Sequence, residues 1–294
     1  MRNDYGVSSV FGRIYRGLLP MALMVVFGFS MGTGMASAAS LDTYFDALPA
    51  GGELRGNAAI SGGLLRLTNA ENSQNGTFVW DPGEVYPSVL MQGSVLIGGG
   101  DGADGISFSY SNLGEGSFGE FGSGDGFILR VVTYSGSDPG PRFEVFYGGQ
   151  VIERLQVDNS VMRLNQFVPI EVRIEHTGDY VVKYNNIVYL QGTIPDWAPQ
   201  ADWKVAVAAR TGGLNDNHHY DWLQVGAVPL EAVPATPTTI AALIDTQATF
   251  RVTATGAVGT PEYQWYKAGP VDIELPMERT DTLLLADLNK DSEG

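Results

Sequence analysis

The sequence predicts an all-β protein, and three observations carry that prediction. Its 294 residues are 44% apolar and 11% aromatic with only 17% charged, the make-up of a globular chain long enough for one large or two ordinary domains. Its 38 glycines and 15 prolines punctuate runs rich in Val, Thr, Tyr and Phe, the pattern of short strands joined by turns. No stretch carries the long Leu/Ala/Glu/Lys periodicity of an amphipathic helix.

The N-terminus reads as an export signal. Arg2, Arg13 and Arg16 precede an apolar run from Leu18 to Phe29, and Ala36-Ser37-Ala38 supplies the small residues of a cleavage site. Residues 1–39 are therefore expected to be a signal peptide cut near Ala38 or Ala39, with an uncleaved membrane anchor as the alternative; the apolar run is short for a span. Removing it takes away three arginines and one aspartate and shifts the formal net charge from −16 to −18. So acidic a surface repels phosphate backbones and anionic headgroups, which argues against nucleic acid and membrane surfaces as partners; solubility is the simpler use of the charge. With no cysteine, an exported product holds its fold by core packing rather than disulfides. These features suit a secreted or envelope protein of a bacterium.

Residues 40–228 form one continuous strand-and-turn pattern. Ile170-Glu171-Val172-Arg173-Ile174-Glu175 alternates strictly, as a half-buried antiparallel strand does. Tyr180–Tyr184 and Ile187–Leu190 flank Asn185-Asn186, whose tolerance of positive φ predicts a two-residue hairpin. Lys204–Ala209 is another strand, ending at the Thr211-Gly212-Gly213 loop. These are the parts of a two-sheet sandwich.

Pro229, Pro234 and Pro237 then break the pattern, so residues 229–237 are predicted to be an extended linker. Beyond it, residues 238–294 show an alternating run at Thr249–Ala254, then Tyr263–Lys267, Thr282–Leu285 and Asp291–Gly294. This order resembles an immunoglobulin-like domain, incomplete at its C-terminus. The resemblance implies that Trp265 is the core tryptophan of the third strand and that Val252 stands where the family often carries its first disulfide cysteine. It also implies an unpaired edge beside Trp265, and hence a chain that continues past Gly294 in its parent protein.

Two polar, glycine-flanked loops carry the functional signal: Gly102-Ala103-Asp104-Gly105-Ile106-Ser107-Phe108 and Ala209-Arg210-Thr211-Gly212-Gly213-Leu214-Asn215-Asp216-Asn217-His218-His219. Each can place a carboxylate or backbone N–H groups at a sheet edge, where a polyhydroxylated ligand is held. Together they resemble the L-type lectin, or concanavalin A-like, family, which implies a two-sheet jelly-roll sandwich over residues 40–228. In that family the Ala-Asp peptide is typically cis and aims its carboxylate at sugar hydroxyls, a role that falls here to Asp104; capping the turn before a strand is the alternative. Gly212, Gly213 and Leu214 offer N–H donors without side-chain hindrance, and Asn215, Asp216 and Asn217 offer paired donors and acceptors, although Asn and Asp are also ordinary turn residues. His218 and His219, adjacent and so on opposite strand faces, are poorly placed to share a metal.

The resemblance fails at the metal site. Legume-type relatives carry a Glu and an Asp two residues apart, then an Asn, to bind a transition metal and calcium; the matching positions here are Arg130, Val132 and Gly136. A guanidinium repels a cation and valine has no ligand oxygen, so no metal or other cofactor is expected, Asp138-Pro139 notwithstanding. Glycoside hydrolases of the same architecture set carboxylates on alternate residues of one strand, about 5–5.5 Å apart in retaining enzymes. The nearest grouping here, Glu171 and Glu175 with Arg173 between them, reads as a solvated face. His176, His218 and His219 lack a Ser or Asp constellation, and the Asn75-Gly76-Thr77 sequon carries little in a bacterial protein. The expected protein is a non-catalytic binder of a neutral or weakly basic glycan. Its binding residues are Asp104, Gly105, Tyr134, Gly212, Gly213, Leu214, Asn215 and Asp216, with Tyr134, or Trp222 if it lies at the loop rim, stacking on a sugar ring. The alternative is an adhesion or surface-scaffold protein in which the sandwich is a spacer.

Overall fold

Residues 23–25, 40–229, 231–235, 247–255, 263–267, 273–275 and 277–285 are described by a computed structural model. The chain divides into two units, one within Ala36–Val228 and one drawn from Met1–Met35 and Pro229–Gly294.

The first unit is a sandwich of two antiparallel sheets, so the predicted all-β jelly-roll class is what the chain adopts. A seven-stranded sheet runs, edge to edge, Gln150–Gln156, Arg142–Tyr147, Phe127–Val132, Gly105–Ser111, Lys204–Arg210, Asn75–Trp80 and Gly52–Gly56. An eight-stranded sheet runs Ile187–Thr193, Asp179–Tyr184, Phe167–Ile174, Val89–Gly98, Asn217–Gly226, Leu65–Thr68 and Ala59–Ile60, with Leu41–Thr43 also paired to Asn217–Gly226. Period-two patterning sends Ile106, Phe108, Tyr110, Leu129, Val131 and Phe143 of one sheet against Val89, Met91, Val95, Ile170, Val172 and Ile174 of the other. Each such side chain, fully buried, contributes about 1.5–3 kcal/mol, and their number explains a sandwich of this size without a disulfide. The Asn185-Asn186 hairpin forms as expected, with φ of 49° and 62° and Tyr184 opposite Ile187.

The outer face of the seven-stranded sheet is covered near its centre by the long loop between Ser111 and Phe127. Phe118 packs with Val79, Ala206 and Ala208 in a small second cluster. The Ser107 hydroxyl donates to the Gly119 carbonyl at 2.7 Å, fastening the loop to the sheet.

The second unit departs from expectation at two places. The proline-rich stretch read as a linker is, over Glu231–Ala235, a strand paired to Ala248–Thr255. It lies at the edge of its sheet, where Pro234 leaves no ladder hydrogen bond unmade. The edge beside Trp265 is also not open: Trp265–Lys267 is paired on one side to Ile273–Leu275 and on the other to Leu23–Val25, taken from the N-terminal apolar run. Val252, Trp265 and Leu283 form the core of this unit, and the Trp265 indole donates to the Thr280 carbonyl at 2.8 Å. Residues 286–294, including Asp291–Gly294 of the immunoglobulin-like resemblance, lie outside the described residues, as do residues 1–22 and 26–39 of the expected signal peptide.

Candidate functional site

The register of the seven-stranded sheet assembles the site from distant segments. Arg142, Val132, Gly105, Arg210 and Asn75 lie side by side across its end. Asp104 immediately precedes Gly105, and the Thr211–Asn217 loop immediately follows Arg210, so both sequence motifs arrive at the same place. Gly105 is required there: its φ is +141° and a Cβ would sit 2.1 Å from the Val131 carbonyl oxygen.

The two loops are laced together by hydrogen bonds. The amides of Asp101 and Gly102 donate to the Asn215 carbonyl at 2.9 and 3.0 Å. The Asn215 amide returns a bond to the Asp101 carboxylate at 2.6 Å. The Ala103-Asp104 peptide is cis. Asp104 donates its own N–H to the Arg210 carbonyl at 2.9 Å, while its carbonyl accepts from Thr133 at 2.9 Å and Tyr134 at 3.3 Å. Tyr134 therefore belongs to the same rim, and its ring, 38% exposed, lies over Gly136.

The Asp104 carboxylate faces the Cα of Gly212, where a Cβ would meet Oδ2 at 3.2 Å. The Gly212 N–H is used by the Leu214 carbonyl at 3.0 Å. By contrast, the N–H groups of Gly213 and Leu214 have no acceptor among the described residues, and the flank of Gly213 is open. An acceptor carboxylate and two free donors thus share one rim.

The sequence reading missed the group that holds this carboxylate. Arg210 places Nε 3.0 Å from Asp104 Oδ2 and a terminal nitrogen 2.7 Å from Glu120 Oε1. Its strict alternation with Ala206 and Ala208 signals an outward-facing side chain, but nothing local signals an ion pair with a residue ninety positions away. Glu120 is buried, and its second oxygen has no partner. Burial raises both carboxyls above their ordinary values, with the Arg210 charge working against the rise in each case.

Three expected contributors are engaged in scaffolding. Asp216 is fully buried; Arg163 holds both of its oxygens, at 2.6 and 3.0 Å, and the Gly100 amide donates to it at 3.0 Å. Asn215 bonds Asn72 through its side chain at 2.6 Å. Asn217 spans from the Gly98 carbonyl to the Ala70 amide, at 3.0 Å each. A buried carboxylate so placed must be paired, and the sequence offered no sign that Arg163 would do it. His218 and His219 point to opposite faces, and burial depresses them to about 3 and about 4, so both are neutral near pH 7.

The residues that the sequence resemblance matches to a metal site, Arg130 and Val132, do not fit a cation. Val132 is buried, and Arg130 bonds Glu144 Oε1 at 2.7 Å while lying 4.0 Å over the Phe146 ring. Arg142 and Arg154 approach the other Glu144 oxygen at 3.2 and 2.6 Å. Among the described residues no group of three or more His, Cys, Asp and Glu side chains is arranged to hold a metal. Arg142 also reaches the Gly140 carbonyl at 2.8 Å and the Ser137 hydroxyl at 3.3 Å, so this cluster anchors the loop that carries Tyr134.

Trp222 is not at the rim. A bulge at Asp221 places it on the outer face of the eight-stranded sheet, opposite Ser94.

Among solved structures, the chain is similar to the exoplasmic/lumenal domain of VIP36 in its calcium-bound form. The TM-score is 0.54 and the identity 18%, over 66% of this chain and 92% of that domain. It is also similar to the metal-free lectin I-B4 from Griffonia simplicifolia, with a TM-score of 0.51 and 12% identity over 64% of this chain and 98% of the lectin. Likenesses at this identity establish a shared lectin sandwich fold. No family model matches the sequence, and no curated protein matches it either.

Proposed function

We propose that residues 40–228 are a non-catalytic carbohydrate-binding domain of a secreted or cell-surface protein, carried with a second, immunoglobulin-like unit. The glycan is held at the rim formed by Asp104, Gly105, Tyr134 and the Gly212–Leu214 loop. One observation carries this reading: the Asp104 carboxylate lies against Gly212, next to the free N–H donors of Gly213 and Leu214 and the open flank of Gly213. Vicinal sugar hydroxyls present the matching donors and acceptors. The VIP36 domain, which shares the fold, has been crystallised with Ca2+ and mannose-containing ligands, Man2 and Man3GlcNAc. Here the guanidinium of Arg130 replaces any cation at the matching position, so binding proceeds without calcium. Neutral glycans suit a rim where Arg210 balances one of two carboxylates.

The non-catalytic part of the reading is supported by the carboxylates of the eight-stranded sheet. Glu171 is tied to Lys183 and Gln92, and Glu175 to Arg173, so no carboxylate pair faces a cleft there. A second reading is that the sandwich is a spacer in an adhesion or scaffold protein. Its support is that the Asp104 side chain is only 10% exposed and already ion-paired.

A glycan array probed with the wild type and with Asp104→Ala separates the two. The binding reading expects discrete signals that vanish in the variant while its melting temperature stays close to wild type. An array with no signal above background for either protein overturns it and leaves the spacer.

A further inference from the structure

The eight-stranded sheet carries a feature that the rim site does not use. In Asn217–Gly226, Tyr220 stands opposite Val95, but Trp222 stands opposite Ser94 and Leu223 opposite Gly93. One residue, Asp221, is therefore extra. Without the bulge, alternation from Tyr220, which is fully buried, would turn Trp222 into the core. With it, Leu223 takes the core position, also fully buried, and the indole is turned outward. Bulges that re-aim a side chain in this way are concentrated beside functional sites.

The outward indole is fixed in place. Its Nε1 donates to the Asp42 carboxylate at 2.8 Å, and the Tyr44 ring, 66% exposed, lies 6.3 Å away at 32°. Beside it opens a groove of about 180 Å3 lined by Trp222, Pro169, Gln92, Glu171, Lys183 and Asn186. Cross-strand register explains the polar wall: Gln92, Glu171 and Lys183 lie in one row. Gln92 Nε2 donates to Glu171 at 2.9 Å and Lys183 Nζ to the same carboxylate at 2.7 Å. Those bonds leave the Gln92 side-chain oxygen, the remaining Lys183 protons and the Asn186 side-chain amide, all on groove-lining residues, without a hydrogen-bond partner among the described residues.

We propose that this groove is a second carbohydrate-binding site, taking one neutral pyranose ring with its C–H face on the Trp222 indole. The chemistry selects that class. An aromatic face needs a ligand with an apolar face, while an amide, a carboxylate and an ammonium within one groove need a ligand whose edge is ringed with hydroxyls. The size agrees, being smaller than the roughly 300 Å3 at which pockets for drug-sized molecules begin. The site lies on the sheet opposite to the one that ends at Asp104, and its occupancy is independent of the rim.

The test uses the full chain and four probes: D-glucose, D-mannose, D-galactose and N-acetyl-D-glucosamine. Binding is read by calorimetry and by saturation-transfer NMR, with the part of the tryptophan emission change that Trp222→Phe removes as a site signal, because Trp80, Trp203 and Trp265 are buried and the partly buried Trp197 is tied to the Pro87 carbonyl. At least one sugar is expected to bind and to shift the emission. Trp222→Ala abolishes that binding, and Gln92→Leu, which keeps the side-chain volume, weakens it about tenfold even should Trp222→Ala fold poorly. Asp104→Ala leaves this Kd unchanged. The proposal is overturned if none of the four sugars binds, if binding survives Trp222→Ala or Gln92→Leu at an unaltered Kd, or if it is lost in Asp104→Ala. That last outcome would place the sugar at the rim and leave the rim reading intact.

Discussion

Replacing Glu144 by glutamine is the perturbation whose magnitude the structure specifies best. The Glu144 carboxylate is 1% exposed and accepts from three guanidiniums, of which Arg142 is 5% exposed, Arg130 15% and Arg154 39%. The variant keeps the shape and one acceptor oxygen but leaves Arg142 and Arg130 without their counter-charge in a poorly hydrated place. Breaking a buried pair by neutralising one partner costs about 3–5 kcal/mol. The retained amide oxygen puts this case near 3, a fall in melting temperature of about 6–12 °C for a unit of this size. Arg154→Met, which removes the most exposed partner, costs at most about 1 kcal/mol. Burial alone would raise the Glu144 carboxyl, but the hydrogen bonds from Arg130 and Arg154 outweigh it and hold the group below its ordinary 4.5. Its stabilisation is therefore complete above about pH 4.5 and fades as the pH falls through the lowered value, so wild type and Glu144→Gln converge in acid. Thermal unfolding followed by circular dichroism at pH 7 and pH 3 measures both effects. A Glu144→Gln protein within about 2 °C of wild type at pH 7 would refute the reasoning, because the guanidiniums would then be adequately solvated without the carboxylate.

Glu120→Gln should behave in the opposite sense: burial raises this carboxyl above 4.5. Wild type thus loses stability relative to the variant as the pH rises from about 4.5 through the raised value, which paired melting curves between pH 4 and pH 7 will detect. Addition of a chelator, or of calcium, should leave the melting temperature of the full chain unmoved, since Arg130 and Val132 stand at the matching metal positions; a rise with millimolar calcium would reveal a bound ion. A chain beginning at Ser40 lacks the Leu23–Val25 strand that pairs with Trp265–Lys267. Amide exchange at Tyr266 should then be faster than in the full chain, and limited proteolysis should remove residues 229–294 before it cuts within 40–228.

How far the sequence could be read depends on the range of the interaction. Alternation in Ile170–Ile174, the Asn185-Asn186 turn and the two glycine-flanked loops are local patterns, and each formed as its residues dictate. The convergence of Asp104 with the Thr211 loop was reachable only through resemblance, because it depends on the pairing of Gly105 with Arg210 across a hundred residues. Asp216 was misjudged because exposure of an Asn/Asp-rich loop is a local expectation, whereas its pairing with Arg163 is a tertiary fact. The outward face of Trp222 was illegible for another reason: one extra residue at Asp221 reverses the face of everything after it, and no composition rule marks where a bulge falls. Within the expected linker, Glu231–Ala235 is a strand because proline is compatible with a sheet edge as well as with an extended coil.

The rim account is tested most directly by amide chemical shifts. With residues 40–228 isotopically labelled inside the full chain and titrated with a glycan identified on the array, the account predicts that the N–H resonances of Gly213 and Leu214 move first and furthest. Those of Asp104 and Tyr134 follow, and in Asp104→Ala the Gly213, Leu214 and Tyr134 resonances stay still. Shifts that spare Gly213 and Leu214, or that persist unchanged in that variant, would contradict it.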